Sequence, residues 1–391
     1  MALRSPLILA ALSIRLLTPD APARAQVVHS HNVVANASTT DSVVDQAILR
    51  FVAATPQVVG LSVGVFKNGA IYTYNYGTVE RGKHQPPTEN TIYRIASITK
   101  TFTATLLAQA AVDRRVKLDD DVRKYLDGDY PNLEFQGHPI RLYDLVDHRS
   151  GLPFFLPDKP ETAPDYHHDV AGWPTRIADA LRSYSRQDFY ADLHHVQLDG
   201  IPGEQVHYSN AAAQLMGYIL ERVYHRSYET LLKEKIFAPL DMESTAITLD
   251  YQLRGQLAKG YDSAGHLMPD VPDQLQAAGA VKSTVSDLLK YVQWQVEEND
   301  GAVKLSHIPR ATIGDYSADL NWQMWSSDGN RLIWQSGNFP GFHSLCATLP
   351  ELKLGLVILA NESDPASNAA RQKMANEILS GLDPRAIPLP Q

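Results

Sequence analysis

Segments typical of β-strands occur near both ends of the 391-residue chain and are scarce in its middle, and this distribution limits the possible folds most strongly. Residues 58–66 and 70–76 are rich in β-branched and aromatic side chains, and Asn68-Gly69 between them is a strong hairpin signal. Four further strand-like segments lie late in the chain, at residues 321–326, 331–335, 341–349 and 354–361. We therefore predict an α+β fold with one antiparallel sheet built from both chain ends.

The segments around these strands favour helices. A helix at residues 41–54, capped by Asp41, and a closing helix at residues 364–382 are predicted to flank one face of the sheet. Other helix-like segments lie at residues 97–112, 141–148, 174–184, 210–224, 228–237 and 284–298, with an ordered loop at 151–174. We predict one catalytic domain with a linker at 26–40, a sheet lobe from 41–96 and 281–382, and a mostly helical lobe from 97–280. The cleft between the lobes is the expected site.

The first 25 residues are typical of a signal peptide. Arg4 supplies a basic start, residues 7–17 are mostly apolar, and a small-x-small cleavage sequence ends at Ala25. We expect cleavage after Ala25 and export to the periplasm. The alternative is a disordered N-terminus with no targeting role. No other apolar run approaches about 18 residues, so no internal membrane span is expected.

Composition excludes several other kinds of function. A net charge of −9 without a basic patch argues against nucleic-acid binding. The single cysteine, Cys346, cannot form an internal disulfide, and its apolar neighbours predict a buried strand residue rather than a thiol nucleophile. The pairs His167-His168 and His194-His195 lack the spacing of metal ligands, so we predict no metal and no cofactor.

A possible nucleophile and its base stand at the start of the predicted helix at residue 97. Ser97 and Lys100 are three positions apart and share a helix face, so the Lys100 amine can reach the Ser97 hydroxyl. A serine needs a neighbouring base to become a strong nucleophile. Burial or a nearby cation would lower the pKa of a lysine enough for it to serve as that base.

Two later elements complete the pattern. Tyr208 precedes Asn210 by two positions; a tyrosine beside a lysine ammonium can shuttle protons, and an asparagine amide can bind a substrate carbonyl and accept a hydrogen bond from the lysine. Gln335-Ser336-Gly337 follows a predicted strand and precedes Asn338. An extended substrate can lie beside such a strand, and a glycine permits close backbone approach.

In this order and spacing, the three elements resemble the S-x-x-K, Y-x-N and K-T-G or H-x-G motifs of the serine β-lactamase and penicillin-binding protein superfamily. Residues 141–153 are similar to L-L-x-H-x-S-G-L-P and residues 236–242 to I-F-x-P-L-G-M, which points to the class C β-lactamase-like branch. That branch includes D-alanyl-D-alanine carboxypeptidases and endopeptidases and some carboxylesterases. The resemblance covers residues 45–380.

The resemblance implies a role for each matching residue. Ser97 would be the acylated nucleophile, Lys100 its base or proton partner, and Tyr208 the second proton shuttle. Asn210 would orient the substrate together with the third motif. The oxyanion hole would consist of the backbone N–H groups of Ser97 and Asn338, and one such donor is worth ~2.7–4 kcal/mol of barrier.

The third motif departs from the family pattern. Gln335 stands where the family has Lys or His, so the usual positive charge for a substrate carboxylate is missing. A neutral hydrogen bond is weaker than a charge-assisted one by about 1 kcal/mol or more. Arg331 or His343, which are near in sequence, could replace the charge. The alternative is that Gln335 is a strand-end residue without substrate contact.

Two other residues resemble catalytic groups but favour a structural role. Ser62 lies in a G-x-S-x-G sequence, yet that nucleophile elbow needs a strand, a sharp turn and a helix, and here the residues continue through a strand. For His148 we predict that it orders the Ser150-Gly151-Leu152-Pro153 turn.

Taken together, the sequence predicts an exported serine hydrolase with an acyl-Ser97 intermediate. The resemblance implies a D-alanyl-D-alanine carboxypeptidase or endopeptidase, or β-lactamase-type amide hydrolysis, acting on a cell-wall peptide, a β-lactam or an ester. The alternatives are a carboxylesterase of the same fold, favoured by Gln335, and a penicillin-recognising sensor that is acylated without turnover.

Overall fold

A computed structural model describes residues 28–31, 37–157, 172–313 and 316–390. The predicted signal peptide with its cleavage site, and the pair His167-His168, lie outside these residues. So does most of the predicted loop at 151–174.

The strands are concentrated at the two ends of the chain, as the sequence predicts. They are β1 (Val28–His31), β2 (Gly60–Lys67), β3 (Ala70–Gly77), β4 (Tyr93–Arg94), β5 (Glu134–Phe135), β6 (His138–Pro139), β7 (Tyr261–Asp262), β8 (Lys282–Ser283), β9 (Ala311–Ile313), β10 (Tyr316–Asp319), β11 (Trp322–Ser327), β12 (Asn330–Phe339), β13 (Phe342–Leu349), β14 (Leu354–Ala360) and β15 (Glu362–Ser363).

The helices fill the middle of the chain and its two ends. They are α1 (Ala37–Ala54), α2 (Thr99–Val112), α3 (Leu142–Val146), α4 (Trp173–Arg182), α5 (Arg186–Leu193), α6 (Asn210–Tyr224), α7 (Tyr228–Leu232), α8 (Tyr251–Arg254), α9 (Gln276–Gly279), α10 (Val285–Glu297), α11 (Gly301–Ser306) and α12 (Asn368–Leu382).

One antiparallel sheet unites both ends of the chain. Its strand order is β1-β3-β2-β14-β13-β12-β11-β10-β9, and β14 pairs with β2, so the last strands are inserted beside the first hairpin. Helices α1 and α12 cover one face through residues such as Ile48 and Ile378. The other face packs on α10 and the helical lobe. The predicted α+β architecture is confirmed.

Most predicted boundaries agree with the structure to within a few residues, but the boundary at the N-terminal side of the sheet is wrong. The segment 26–40, expected to be a linker, contains strand β1, which pairs with β3, and α1 already begins at Ala37. The segment predicted as a helix at 228–237 is helical throughout, as α7 up to Leu232 and then as a π-helical turn at Lys233–Phe237. The closing helix begins with a 3₁₀ turn at Pro365–Ser367. Strand β1 forms by pairing with the edge of β3, which local residue preference does not predict.

Helix α2 is the centre of the helical lobe. Its side chains are buried on all sides from Thr99 to Ala108, which fits its threonine- and alanine-rich sequence. The threonine hydroxyls are satisfied inside the protein: Thr103 donates to the Ala277 carbonyl at 2.8 Å, and Thr99 accepts the Val281 N–H at 3.2 Å. Helix α2 therefore fixes the segment 277–281 beside its own first turn.

Candidate active site

The turn that carries Ser97 is tightly constrained. A 3₁₀ turn at Ala96–Ile98 leads directly into α2. Ala96 has φ of +48°, in the left-handed region that side chains other than glycine rarely occupy. Such strain persists only where the surroundings hold it, and it places the partly exposed Ser97 at the start of the helix.

Gly337 is what allows β12 to lie against this turn. A Cβ at position 337 would lie 2.5 Å from the Ile95 carbonyl oxygen and 2.9 Å from the Ala96 Cβ. Ser344 on the neighbouring strand donates to the same Ile95 oxygen at 2.8 Å. The glycine of the third motif, Gly337, thus allows β12 to pack closely against the turn that carries Ser97.

Three predicted catalytic side chains meet at one oxygen atom. Lys100 Nζ donates to Ser97 Oγ at 3.0 Å, and the Tyr208 hydroxyl donates to the same oxygen at 2.7 Å. Lys100 Nζ also lies 4.9 Å from the centre of the Tyr208 ring. Each of the two groups can exchange a proton with Ser97.

Lys100 is fully buried, and burial lowers its pKa to about 7. Its second partner is the Ala278 carbonyl oxygen, at 2.6 Å. Among the described residues the Asn210 side chain makes no hydrogen bond to Lys100, although the sequence suggested one. No sequence signal could identify Ala278, because it acts through its backbone. A lysine with this pKa is present in both protonation states near neutral pH.

Tyr208 is held by the segment around His148. The two rings pack against each other with centroids 4.2 Å apart, and His148 Nδ1 accepts the Ser209 N–H at 3.2 Å. Burial, together with the nearby Lys100, lowers the pKa of His148 to about 3, so the ring is neutral. His148 thus positions Tyr208 directly, which is more than the turn-ordering role predicted for it.

The loop after His148 is joined to the start of α6. Ser209 donates through its hydroxyl to the Pro153 carbonyl at 2.7 Å, and the Asn210 N–H donates to the Phe154 carbonyl at 2.9 Å. Ser209 also caps α6 through the Ala212 N–H. These bonds set Asn210 at the first position of the helix, where it lines the cleft beside Ser97.

Gln335 is buried and its amide is used inside the protein. Its Nε2 donates to the Asn321 carbonyl at 2.8 Å, and its Oε1 accepts the Ser336 N–H at 3.0 Å. Asn321 in turn donates through Nδ2 to the Lys100 carbonyl at 3.0 Å. Gln335 therefore links β12 to the first turn of α2, a connection through Asn321 that the sequence did not indicate.

Beyond Trp334, the edge of β12 that is turned away from β13 faces the cleft. Strand β11 pairs with β12 only as far as the partners Gln323 and Trp334, whereas β13 pairs along the whole segment 333–339. The Ser336 N–H bonds to a side chain rather than to β13, so it points to this edge. Antiparallel ladders alternate with period two, and the Asn338 N–H therefore points the same way.

These residues line one cleft of about 330 Å³ between the two lobes. Its polar lining is Ser97, Tyr208, Asn210, Asp273, Gln323, Gln335, Ser336 and Asn338. The structure thus brings together the predicted residues of all three motifs. Gly337 lies behind this surface, against Ala96.

Neither candidate for a replacement charge supplies one. Arg331 binds Glu298 at 2.8 Å and Glu351 at 2.6 Å near the start of β12, and it does not line the cleft. His343 lies opposite Asn338 on β13, and burial lowers its pKa well below the usual value. Both suggestions from the sequence are wrong.

The residues excluded by the sequence analysis lie away from this chemistry. Ser62 is buried within β2 and bonds to Asn75 at 2.7 Å. Cys346 is buried in β13, and burial raises the pKa of its thiol. His194 and His195 are exposed, and His194 stacks on Tyr130. In the described ranges, no cluster of three His, Cys, Asp or Glu could hold a metal ion, and no helix is long and apolar enough to cross a membrane.

Comparison with known proteins gives a consistent picture. The sequence model of the beta-lactamase family matches residues 44–379. A beta-lactamase of Pseudomonas fluorescens is 28% identical over 364 residues, which is 83% of this chain and 94% of that protein. A solved structure described as a class C beta-lactamase has a TM-score of 0.74 and 25% identity, and covers 90% of this chain and 99% of that one. The beta-lactamase/D-alanine carboxypeptidase of Yersinia pestis complexed with citrate also has a TM-score of 0.74; it is 23% identical and covers 89% of this chain and 99% of that one, a likeness of fold.

Proposed function

The chain belongs to the beta-lactamase family, and we propose that it is a serine hydrolase that forms an acyl-Ser97 intermediate. The observation that carries the proposal is the convergence of Lys100 Nζ and the Tyr208 hydroxyl on Ser97 Oγ, at 3.0 and 2.7 Å. A nucleophile within reach of two proton carriers is the arrangement that acyl transfer needs.

In the proposed acylation, neutral Lys100 takes the Ser97 proton as Oγ attacks the substrate carbonyl carbon. The low pKa of Lys100 supports this step, because neutral amine is available near pH 7. The carbonyl oxygen becomes an oxyanion between the N–H groups of Ser97 and Asn338. The outward direction of the Asn338 N–H supports that assignment.

Collapse of the tetrahedral intermediate expels the leaving group, which takes a proton from Tyr208. Lys100 then returns a proton to Tyr208. Water attacks the acyl-Ser97 carbonyl in the second half, and its proton passes to the neutral Lys100 amine. Lys100 then returns a proton to Ser97 Oγ as the acyl group leaves, which regenerates the Ser97 hydroxyl. Asn210 and the free edge of β12 would orient the substrate chain through hydrogen bonds.

The proposed substrate class is an amide or ester of the kind that the relatives' names suggest, a D-alanyl peptide or a β-lactam. We further propose that the protein is exported after cleavage at Ala25, on the strength of its first 25 residues.

A second candidate is a carboxylesterase, and one observation favours it. The position that carries a cation in the family is Gln335, which is neutral and already bonded to Asn321 and Ser336. A substrate without a carboxylate loses nothing from that change, whereas one with a carboxylate loses a charge-assisted bond.

The test is a substrate panel with purified wild type and Ser97→Ala. The panel contains a chromogenic cephalosporin, a fluorescent penicillin, a D-Ala-D-Ala peptide and a short-chain nitrophenyl ester. We expect Ser97-dependent turnover of at least one substrate. Hydrolysis that survives in Ser97→Ala would contradict the acyl-Ser97 proposal, and stable penicillin labelling without any turnover would indicate a sensor instead.

A further inference from the structure

The cleft continues past Ser97 into an apolar chamber. Its wall is formed by Ile177 and Leu181 of α4, with Val271 and Leu275 from the loop that precedes α9. These four side chains pack as one small cluster, separate from the two main cores. A separate apolar cluster that opens onto a catalytic serine is a surface for an apolar part of the substrate.

A row of aromatic rings connects this chamber to the catalytic centre. Tyr208 lies 5.9 Å from Phe154, Phe154 lies 4.8 Å from Phe155, and Phe155 lies 6.2 Å from Trp173, all between ring centroids. Trp173 is the first residue of α4. The apolar surface therefore begins beside the hydroxyl that bonds Ser97 and extends without interruption to α4.

Buried ion pairs fix the part of this wall that carries Val271 and Leu275. Asp273 accepts from Arg94 at 2.8 Å and from Lys282 at 2.7 Å, and both cations are almost completely buried. The Arg94 guanidinium also lies over the Phe339 ring, 4.7 Å from its centre. These contacts hold the segment between Val271 and Leu275 in place, so the chamber is preformed.

The charge of the cleft also favours binding of an uncharged, apolar part of the substrate. Over the residues that the structure describes, no Lys, Arg or His side chain lines it, and its one carboxylate, Asp273, is neutralised by Arg94 and Lys282. In the neighbouring pocket, Arg371 is committed to Glu362 at 3.1 Å and to the Asp364 carbonyl at 2.6 Å. A substrate carboxylate would find no available cation in the cleft.

We propose that Trp173, Ile177 and Leu181 form an acyl-group subsite that selects uncharged acyl donors with an extended apolar chain. This inference rests on the proposed acyl-Ser97 chemistry and deepens the second candidate, the carboxylesterase, by naming its substrate class. In the reaction, the Ser97 Oγ–carbonyl bond forms and the ester C–O bond breaks; the leaving oxygen takes the proton from Tyr208. Water then releases the fatty or aromatic acid and restores the Ser97 hydroxyl.

The experiment measures kcat/KM of the full chain for nitrophenyl acetate, butyrate and octanoate, and for the nitrophenyl monoester of a dicarboxylic acid of similar length. We expect a rise of about tenfold or more from acetate to octanoate, since each buried methylene favours binding. We expect the monoester with the free carboxylate to be at least tenfold poorer than octanoate.

Trp173→Ala should reduce the octanoate-to-acetate ratio by about tenfold. Thr175→Ala is the matched control, because Thr175 is exposed on the same helix, and it should leave the ratio as in wild type. Leu181→Val is a second, milder variant that keeps the chamber apolar and should reduce the ratio by a smaller factor. Thermal melting of each variant verifies that it is folded.

The inference is overturned if wild type shows no chain-length preference, if it hydrolyses the free-carboxylate ester as well as octanoate, or if folded Trp173→Ala keeps the wild-type ratio. Ser97→Ala separates the two proposals. Hydrolysis that persists without Ser97 contradicts the acyl-enzyme proposal, whereas Ser97-dependent hydrolysis with a flat chain-length profile contradicts only the subsite.

Discussion

The Tyr208 hydroxyl lies 2.7 Å from Ser97 Oγ although the two residues are 111 positions apart. The contact joins the start of α2 to the residue before the cap of α6, and His148 holds the tyrosine ring from behind. A proton carrier placed in this way has a specific experimental signature.

Tyr208→Phe should remove the proton carrier and keep the ring contacts. We expect kcat to fall by about 10²–10⁴-fold, the usual contribution of a general acid or base, with an unchanged melting temperature. Tyr251→Phe is the control, because Tyr251 is 93% exposed. Steady-state kinetics and thermal melting test this; a fall of less than about threefold would remove Tyr208 from the mechanism.

The acylation rate should rise with pH through about 7. Burial lowers the pKa of Lys100 from 10.5 to about 7, and only the neutral amine can accept the Ser97 proton. His148 does not titrate in this range, since its pKa is about 3. Burst kinetics from about pH 5 to 9 measure the profile, and Lys100→Arg should lose the rising limb. A rate independent of pH in wild type would contradict a Lys100 base.

Lys100→Met should stabilise the protein while it abolishes activity. Because the folded pKa lies below the unfolded one, the folded state binds fewer protons between pH 7 and 10.5, and wild-type stability rises with pH across that window. The stability advantage of the methionine variant over wild type is therefore largest below pH 7 and shrinks towards pH 10.5. Urea unfolding at about pH 6, 8 and 10 measures this. If the difference in unfolding free energy between the variant and wild type increased with pH, the destabilisation could not come from burying the Lys100 amine.

Gln335→Lys should favour substrates that carry a carboxylate. A cation at this position restores a charge-assisted bond, and we expect penicillin acylation relative to nitrophenyl acetate hydrolysis to increase about tenfold, or ~1.4 kcal/mol. Gln335→Glu is the sign control and should lower the same ratio. If both variants change the two reactions equally, the effect is one of structure and the charge argument fails.

Gly337→Ala should displace the nucleophile turn. The added methyl would lie 2.5 Å from both the Ile95 carbonyl and Ser344 Oγ, and overpacking of this kind costs about 1–3 kcal/mol. We expect a lower melting temperature and a loss of activity of at least tenfold. Gly69→Ala is a poor match because φ is positive there, so Gly200→Ala, with open space around the site, is the control. Full activity in Gly337→Ala would show that the close approach is not required.

Much of the fold followed from local patterns. The Asn68-Gly69 hairpin, the late strands and the terminal helices have strong periodic or turn signals, and the structure contains them within a few residues. Strand β1 has no such signal, because its place depends on the free edge of β3. Pairing with a free sheet edge depends on the tertiary structure, so the sequence of a short polar segment does not predict it.

The active site, like the fold, could be predicted from the sequence only in part. The spacing of Ser97 and Lys100 determined that two reactive groups share the start of a helix, and Tyr208, Asn210 and Gln335 were identifiable by their order along the chain. Only the tertiary structure decided that Lys100 is buried against the Ala278 carbonyl, that Gln335 is bonded to Asn321, and that α4 closes an apolar chamber beside Ser97. The physical reason is that the sequence lists the chemical groups and their spacing along the chain. Desolvation, hydrogen-bond partners and cavity shape depend instead on contacts between segments that are far apart in sequence.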